Sequence, residues 1–262
     1  MEDNLQQLSY TLEPFSKENQ VGFLTKFWLQ HSKLQEGNRQ ILETYARALI
    51  ELLAQSTSDK EKELTGNPLQ TRMLAEAFEK EVKTYCLSEK SELELPKELC
   101  LVDLYRKFIK EKIVIFFKSK GEIAEEQHND INLFDISVTK NHQKLALEVI
   151  LPELKDTVLK PEESDMLAPE AISRIGIVQY IDDKPHFIHH SFAEYYVAEF
   201  LATQLKNETR LLLEVLNILF KILLEAHYAV IRCFLDELLV NPEKSKVIKQ
   251  YGEQIHEIWK VK

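Results

Sequence analysis

From Ser16 onward, apolar side chains recur every three or four residues in one segment after another, and a single stretch breaks that rhythm with the signature of a strand pair. A period near 3.6 puts such residues on one stripe of a helix, whereas a strand turns alternate residues to opposite faces. The chain is therefore expected to be mainly α, with a minor β element. Phe23 with Phe27, and Leu24 with Trp28, run along a first helix starting near Ser16. Ile41, Tyr45, Ala48 and Leu52 mark a second over Arg39 to Gln55, and Leu74, Phe78, Val82 and Tyr85 a third, long one. Before that third helix, Gly66 supplies a flexible turn, Asn67 a good N-cap and Pro68 a residue suited to the first helical position. Leu101, Tyr105, Ile109 and Ile113 stack along the next helix. The stretch "KSKGEIAEEQHNDIN" reads as an exposed loop, and a further helix over Asn141 to Leu159 carries Pro152, which predicts a kink or break. From Thr209 to the end three more amphipathic helices are expected, the last with Val247, Tyr251, Ile255 and Ile258 at helical spacing.

The exception to the helical rhythm is "RIGIVQYIDDKPHFIHH", two short apolar runs around an acidic turn, which predicts a β-hairpin. Directly after it, Ser191 and Glu194 match the S-x-x-E pattern of a capping box, and Phe192, Tyr196 and Phe200 then give a helix with a broad buried face. Near the start, Leu8, Tyr10 and Leu12 alternate with polar neighbours and Pro14 stops them, the pattern of a strand that needs a sheet to join.

With 262 residues, 44% of them hydrophobic, the chain has enough apolar surface to bury one sizeable core or two small ones without metals or disulfides. A formal net charge of -10 argues against nucleic acid or an anionic membrane surface as a general partner. The most apolar segment, "RLLLEVLNILFKILLEAHYAV", carries Glu214, Asn217, Lys221 and Glu225 as a wetted stripe and so reads as an amphipathic helix, with no membrane span expected. The N-terminal residues lack the basic and apolar regions of a signal peptide, and the 3 cysteines form no CxxC, so a reducing, cytoplasmic location is expected. The 6 glycines are widely scattered, and neither GxxxxGK[ST] nor GxGxxG occurs. A phosphate-cradling loop needs closely spaced glycines so that successive amides turn toward the anion. This chain does not hold nucleotide phosphates by that device.

His186, His189 and His190 invite a metal site. If "HFIHH" is extended, however, His186 and His190 lie roughly 13 Å apart at about 3.3 Å per residue and His189 faces the other way, so one ion does not reach all three. A hydrolytic site with His189 or His190 as base and Asp182 or Asp183 as partner lacks a nucleophile, because Ser191 is better explained as a helix cap. "IVQYIDD" imitates a Walker B strand, but the second strand just downstream makes those acids a hairpin turn.

"FIHHSFAEYYVAEFL" resembles the winged-helix landmark of NACHT-domain proteins, the STAND class of nucleotide-switched ATPases that includes NOD-like receptors. "LTGNPLQTRMLAE" is similar to the GNPL-type segment of that family's first helical subdomain, and "LEPFSKENQVGFLTKFW" to the junction that precedes it. Arthropod NACHT proteins, often followed by ankyrin repeats, look most alike. The resemblance implies that residues 1–14 end a nucleotide-binding domain, 15–92 form a helical subdomain, 93–206 a winged-helix subdomain with one β-hairpin, and 207–262 start a second helical subdomain. It implies that Pro68 packs against adenine and that His189 contacts the β-phosphate of ADP in the closed, inactive state. The P-loop, the magnesium-binding acids and most of the sheet would precede Met1. The chain would then be the lever half of a signalling ATPase, without turnover alone. It would bind ADP or ATP only together with that nucleotide-binding domain in cis, with protein partners and a homo-oligomer when activated. The alternatives are a helical scaffold for protein partners with no nucleotide role, and a small hydrolase or metal protein.

Overall fold

The computed structural model describes residues 15–56, 67–87, 95–119, 128–152, 167–207 and 213–239. The expected strand over Leu8 to Leu12, the turn at Gly66 and the helix over Val247 to Ile258 lie outside the described residues. Within them the chain is mainly α-helical with one antiparallel hairpin, and it divides into two compact units at Leu99/Cys100.

The first unit holds α1 (Lys17–His31), α2 (Arg39–Ser56), α3 (Pro68–Ala77) and α4 (Glu79–Leu87). Ser16 caps α1, its hydroxyl accepting from the Asn19 amide at 3.2 Å. Leu24 and Trp28 are fully buried, while the Phe23 and Phe27 line stays half-exposed. Trp28 stands at the centre, its indole N–H donating to the Ala75 carbonyl at 2.8 Å and its ring 5.8 Å from that of Tyr45. Along α2 the buried stripe is Leu42, Tyr45, Leu49 and Leu53; it is rotated from the expected one, and Ile41 is exposed. A shift of one residue turns a helix by about 100°, so two neighbouring apolar lines compete and only packing decides between them.

The long helix expected over Leu74 to Tyr85 is instead two helices. Phe78 leaves helical geometry, with φ -111° and ψ 7°, between α3 and α4. Its ring meets Tyr45 edge-on at 6.4 Å, and Glu79 beyond the break accepts a hydrogen bond from the Ser32 hydroxyl at 3.1 Å. Tertiary contacts at the break replace helix continuity.

In the second unit come α5 (Leu101–Ser119), α6 (His128–Ile150), α7 (Pro169–Ile175), β1 (Val178–Ile181), β2 (Lys184–Phe187), α8 (His190–Asn207), α9 (Leu213–Leu224) and α10 (Ala229–Leu239). Three helices precede the hairpin in this unit. Helix α6 differs from the sequence reading at both ends. It starts at His128, inside the expected loop, and stops at Ile150, ahead of Pro152. A proline disfavours helical geometry in the residue before it and has no N–H to offer, so the helix ends where a kink was expected.

Gly176, at φ 83°, closes α7 and turns the chain into β1. Asp182 and Asp183, at φ 50° and 59°, form the two-residue turn of the hairpin, in which Val178 faces Phe187 and Ile181 faces Lys184. Positive φ at both central residues is the backbone of a type I′ turn, and Asp tolerates it better than most side chains. One face of the hairpin packs Val178, Tyr180 and Phe187 on Leu145 of α6 and Ile172 of α7.

Helix α8 is the centre of this unit. It packs against α6 and α10 above all and also touches α5, α9 and β2, so nearly all of its residues from Ser191 to Leu205 are buried. A helix enclosed on every side has no polar stripe, which is why "SFAEYYVAEFLA" is so aromatic. Tyr105 of α5 lies 5.1 Å from Phe192, 5.4 Å from Tyr195 and 4.9 Å from Phe234 of α10, ring centroid to centroid. Burying such a side chain contributes about 1.5–3 kcal/mol apiece.

Candidate functional site

The three clustered histidines end in three settings. His186 sits in β2 opposite Gln179 and is exposed. His190 is the first residue of α8 and is also exposed, so the extended run expected through residue 190 stops at Phe187. His189, part-buried between them, is the N-cap of α8: its carbonyl accepts from the Phe192 amide at 3.1 Å.

The imidazole of His189 does the capping. Its Nδ1 lies 3.2 Å from the Ser191 amide nitrogen and 2.7 Å from the Ser191 hydroxyl. This is the position that an Asn or Asp side-chain oxygen takes at other helix starts. A backbone N–H only donates, so Nδ1 accepts, and the neutral ring then carries its proton on Nε2. Burial first, and the charge of neighbouring His190 second, lower the pKa of His189 and keep the ring neutral.

The capping box expected of Ser191 and Glu194 is therefore not formed. Ser191 lies inside the first turn, 6% exposed, and its oxygen accepts from the Tyr105 hydroxyl at 2.6 Å. Tyr105 stands 86 residues upstream in sequence, which no local motif signals. Glu194 points into the protein at 8% exposure, and burial raises its pKa to about 7. A carboxyl reaching back to cap a helix would be wet and would give up its proton in the ordinary range; this one is buried and keeps its proton up to about pH 7.

Pro68 is the first residue of α3 and is exposed, with Asn67 as N-cap accepting from the Leu69 amide at 2.8 Å. Pro68 belongs to the first unit and His189 to the second. The acids of "IVQYIDD" form the hairpin turn, and both are exposed. Among the described residues no three His, Cys, Asp or Glu side chains form a group able to hold a metal ion. Ser191 makes a poor nucleophile, because its hydroxyl is turned into the core and engaged on both sides. Among the described residues no helix is long and apolar enough to cross a membrane. Comparison of the chain with protein-family models, with curated proteins and with solved structures finds no match.

Proposed function

We propose that this chain is the regulatory, lever-forming part of a NACHT-type nucleotide-switched signalling ATPase, and that it works with a nucleotide-binding domain preceding Met1. In this reading His189 donates from Nε2 to a phosphate oxygen of bound ADP, Pro68 packs on the adenine, and the contacts favour the closed state. The observation that supports it most is the state of His189. With Nδ1 occupied by Ser191, the ring offers a neutral N–H donor at the start of a helix, where the backbone dipole also favours an anion. Phosphate oxygens only accept hydrogen bonds, so the donor matches the ligand. A contact of this kind shifts a two-state equilibrium by its differential affinity for the two states, which is what a nucleotide switch requires.

A helical scaffold without nucleotide is favoured by a different observation. Leu223 and Leu224, adjacent at the end of α9, are 45% and 69% exposed, large apolar side chains on which a protein partner can bury surface. The two readings separate on the nucleotide content of the protein purified with whatever residues its gene encodes upstream. A GxxxxGK[ST] there, with about one equivalent of ADP released on denaturation, supports the switch. No such motif and no nucleotide would overturn it in favour of the scaffold.

A further inference from the structure

We propose that Ser191 and Tyr105 are positioning residues that lock His189 as the Nε2–H tautomer, making the imidazole a hydrogen-bond donor and disqualifying it as a metal ligand or general base. The two hydroxyls form a directed chain. The Tyr105 O–H donates to Ser191 Oγ at 2.6 Å, which leaves the Ser191 O–H to donate to His189 Nδ1 at 2.7 Å. The Ser191 amide adds a second donor to the same ring nitrogen at 3.2 Å, and an amide cannot reverse its direction. Tyr105 is wholly buried and wedged among Phe192, Tyr195 and Phe234, so the far end of the chain is fixed by packing.

The arrangement is the reverse of a metal site, where the ligating histidine donates its second nitrogen to a carboxylate or carbonyl and coordinates through a lone pair on the first. Here the one lone pair of the neutral ring is occupied by donors from the protein. What remains is N–H, which selects acceptors such as phosphate or carboxylate oxygens. The functional meaning of this lock rests on the reading of His189 as a phosphate donor; its geometry does not.

The test is long-range proton–nitrogen NMR on the full chain with nitrogen-labelled histidine at neutral pH, with the His189 signals assigned by their loss in His189→Gln. The expected spectrum has His189 as Nε2–H. Ser191→Ala should move the tautomer ratio toward Nδ1–H by roughly five- to tenfold, the size of one neutral hydrogen bond. Ser191→Thr, which keeps a hydroxyl, should restore the original ratio. Since Ser191→Ala removes the acceptor to which the Tyr105 hydroxyl donates, the double variant Tyr105→Phe with Ser191→Ala gives the same readout with that donor removed as well. An Nδ1–H ring in the parent chain, or a ratio unmoved in both variants, overturns the lock. If the ratio moves as expected but nucleotide-loaded protein carrying Ser191→Ala releases ADP at the parent rate, the positioning stands and the phosphate reading fails.

Discussion

Glu194 and His142 titrate in opposite senses inside the same unit, so replacing either one should unmask the pH dependence of the other. Burial raises Glu194 from 4.5 to about 7, and burial lowers His142, wholly buried on α6, from 6.5 to about 4. His142 donates from Nδ1 to the Val138 carbonyl at 2.8 Å, while its ring lies 5.1 Å from that of Tyr196. For Glu194, the folded state holds its proton more tightly than the unfolded state does. Its stabilisation is complete below pH 4.5 and is lost as pH rises toward 7. For His142 the folded state resists protonation, so stabilisation is complete above pH 6.5 and is lost as pH falls toward 4. At about 1.4 kcal/mol per pKa unit, each shift is worth on the order of 3 kcal/mol at most, and the two offset each other where their ranges overlap.

Urea denaturation followed by circular dichroism, at constant ionic strength across these pH values, reads the effect directly. Glu194→Gln should gain stability relative to the parent as pH rises, by about 2–3 kcal/mol at the alkaline end. It should also leave a profile that climbs from pH 4 to 6.5. His142→Phe should leave the opposite profile, falling between pH 4.5 and 7. Three parallel profiles would refute the assignment of both groups as buried and oppositely shifted.

Other substitutions probe the local frame. Asn67→Ala removes the side chain that caps α3 and should cost about 1 kcal/mol in denaturant titration. Trp28→Phe leaves a gap and strips the Ala75 carbonyl of its indole donor, and a loss of about 2–3 kcal/mol is expected from the same assay. Asp183→Gly relaxes a left-handed backbone position in the hairpin turn and should raise the midpoint of thermal unfolding, by roughly 1 kcal/mol of stability.

Elements governed by local chemistry were legible in the sequence. The apolar rhythm marks most of the helices, the acidic pair Asp182 and Asp183 marks the hairpin turn, and Asn67 with Pro68 marks the start of α3. What escaped were features decided by residues distant in the chain. Ser191 and Glu194 satisfy a capping pattern on paper, yet Tyr105 claims the Ser191 hydroxyl from 86 residues away and His189 takes over the cap. Glu194 then turns inward, where a local motif would have kept it wet. The break at Phe78 has the same origin, since contacts with Tyr45 and Ser32 outweigh helix continuity. For the candidate site, the sequence motif points to residue 189, whereas the donors around its ring come from Ser191 and Tyr105, which only the fold brings together.

If the imidazole of His189 holds ADP in the inactive state, as proposed, its removal speeds the dissociation of ADP. It would be measured by displacement of a fluorescent ADP analogue from protein carrying the nucleotide-binding domain that the proposal requires, with and without His189→Ala. Loss of a hydrogen bond to a charged phosphate, worth about 1.5–3 kcal/mol, predicts release that is faster by roughly ten- to a hundredfold. An unchanged rate in a variant that still folds and binds ADP would contradict the account.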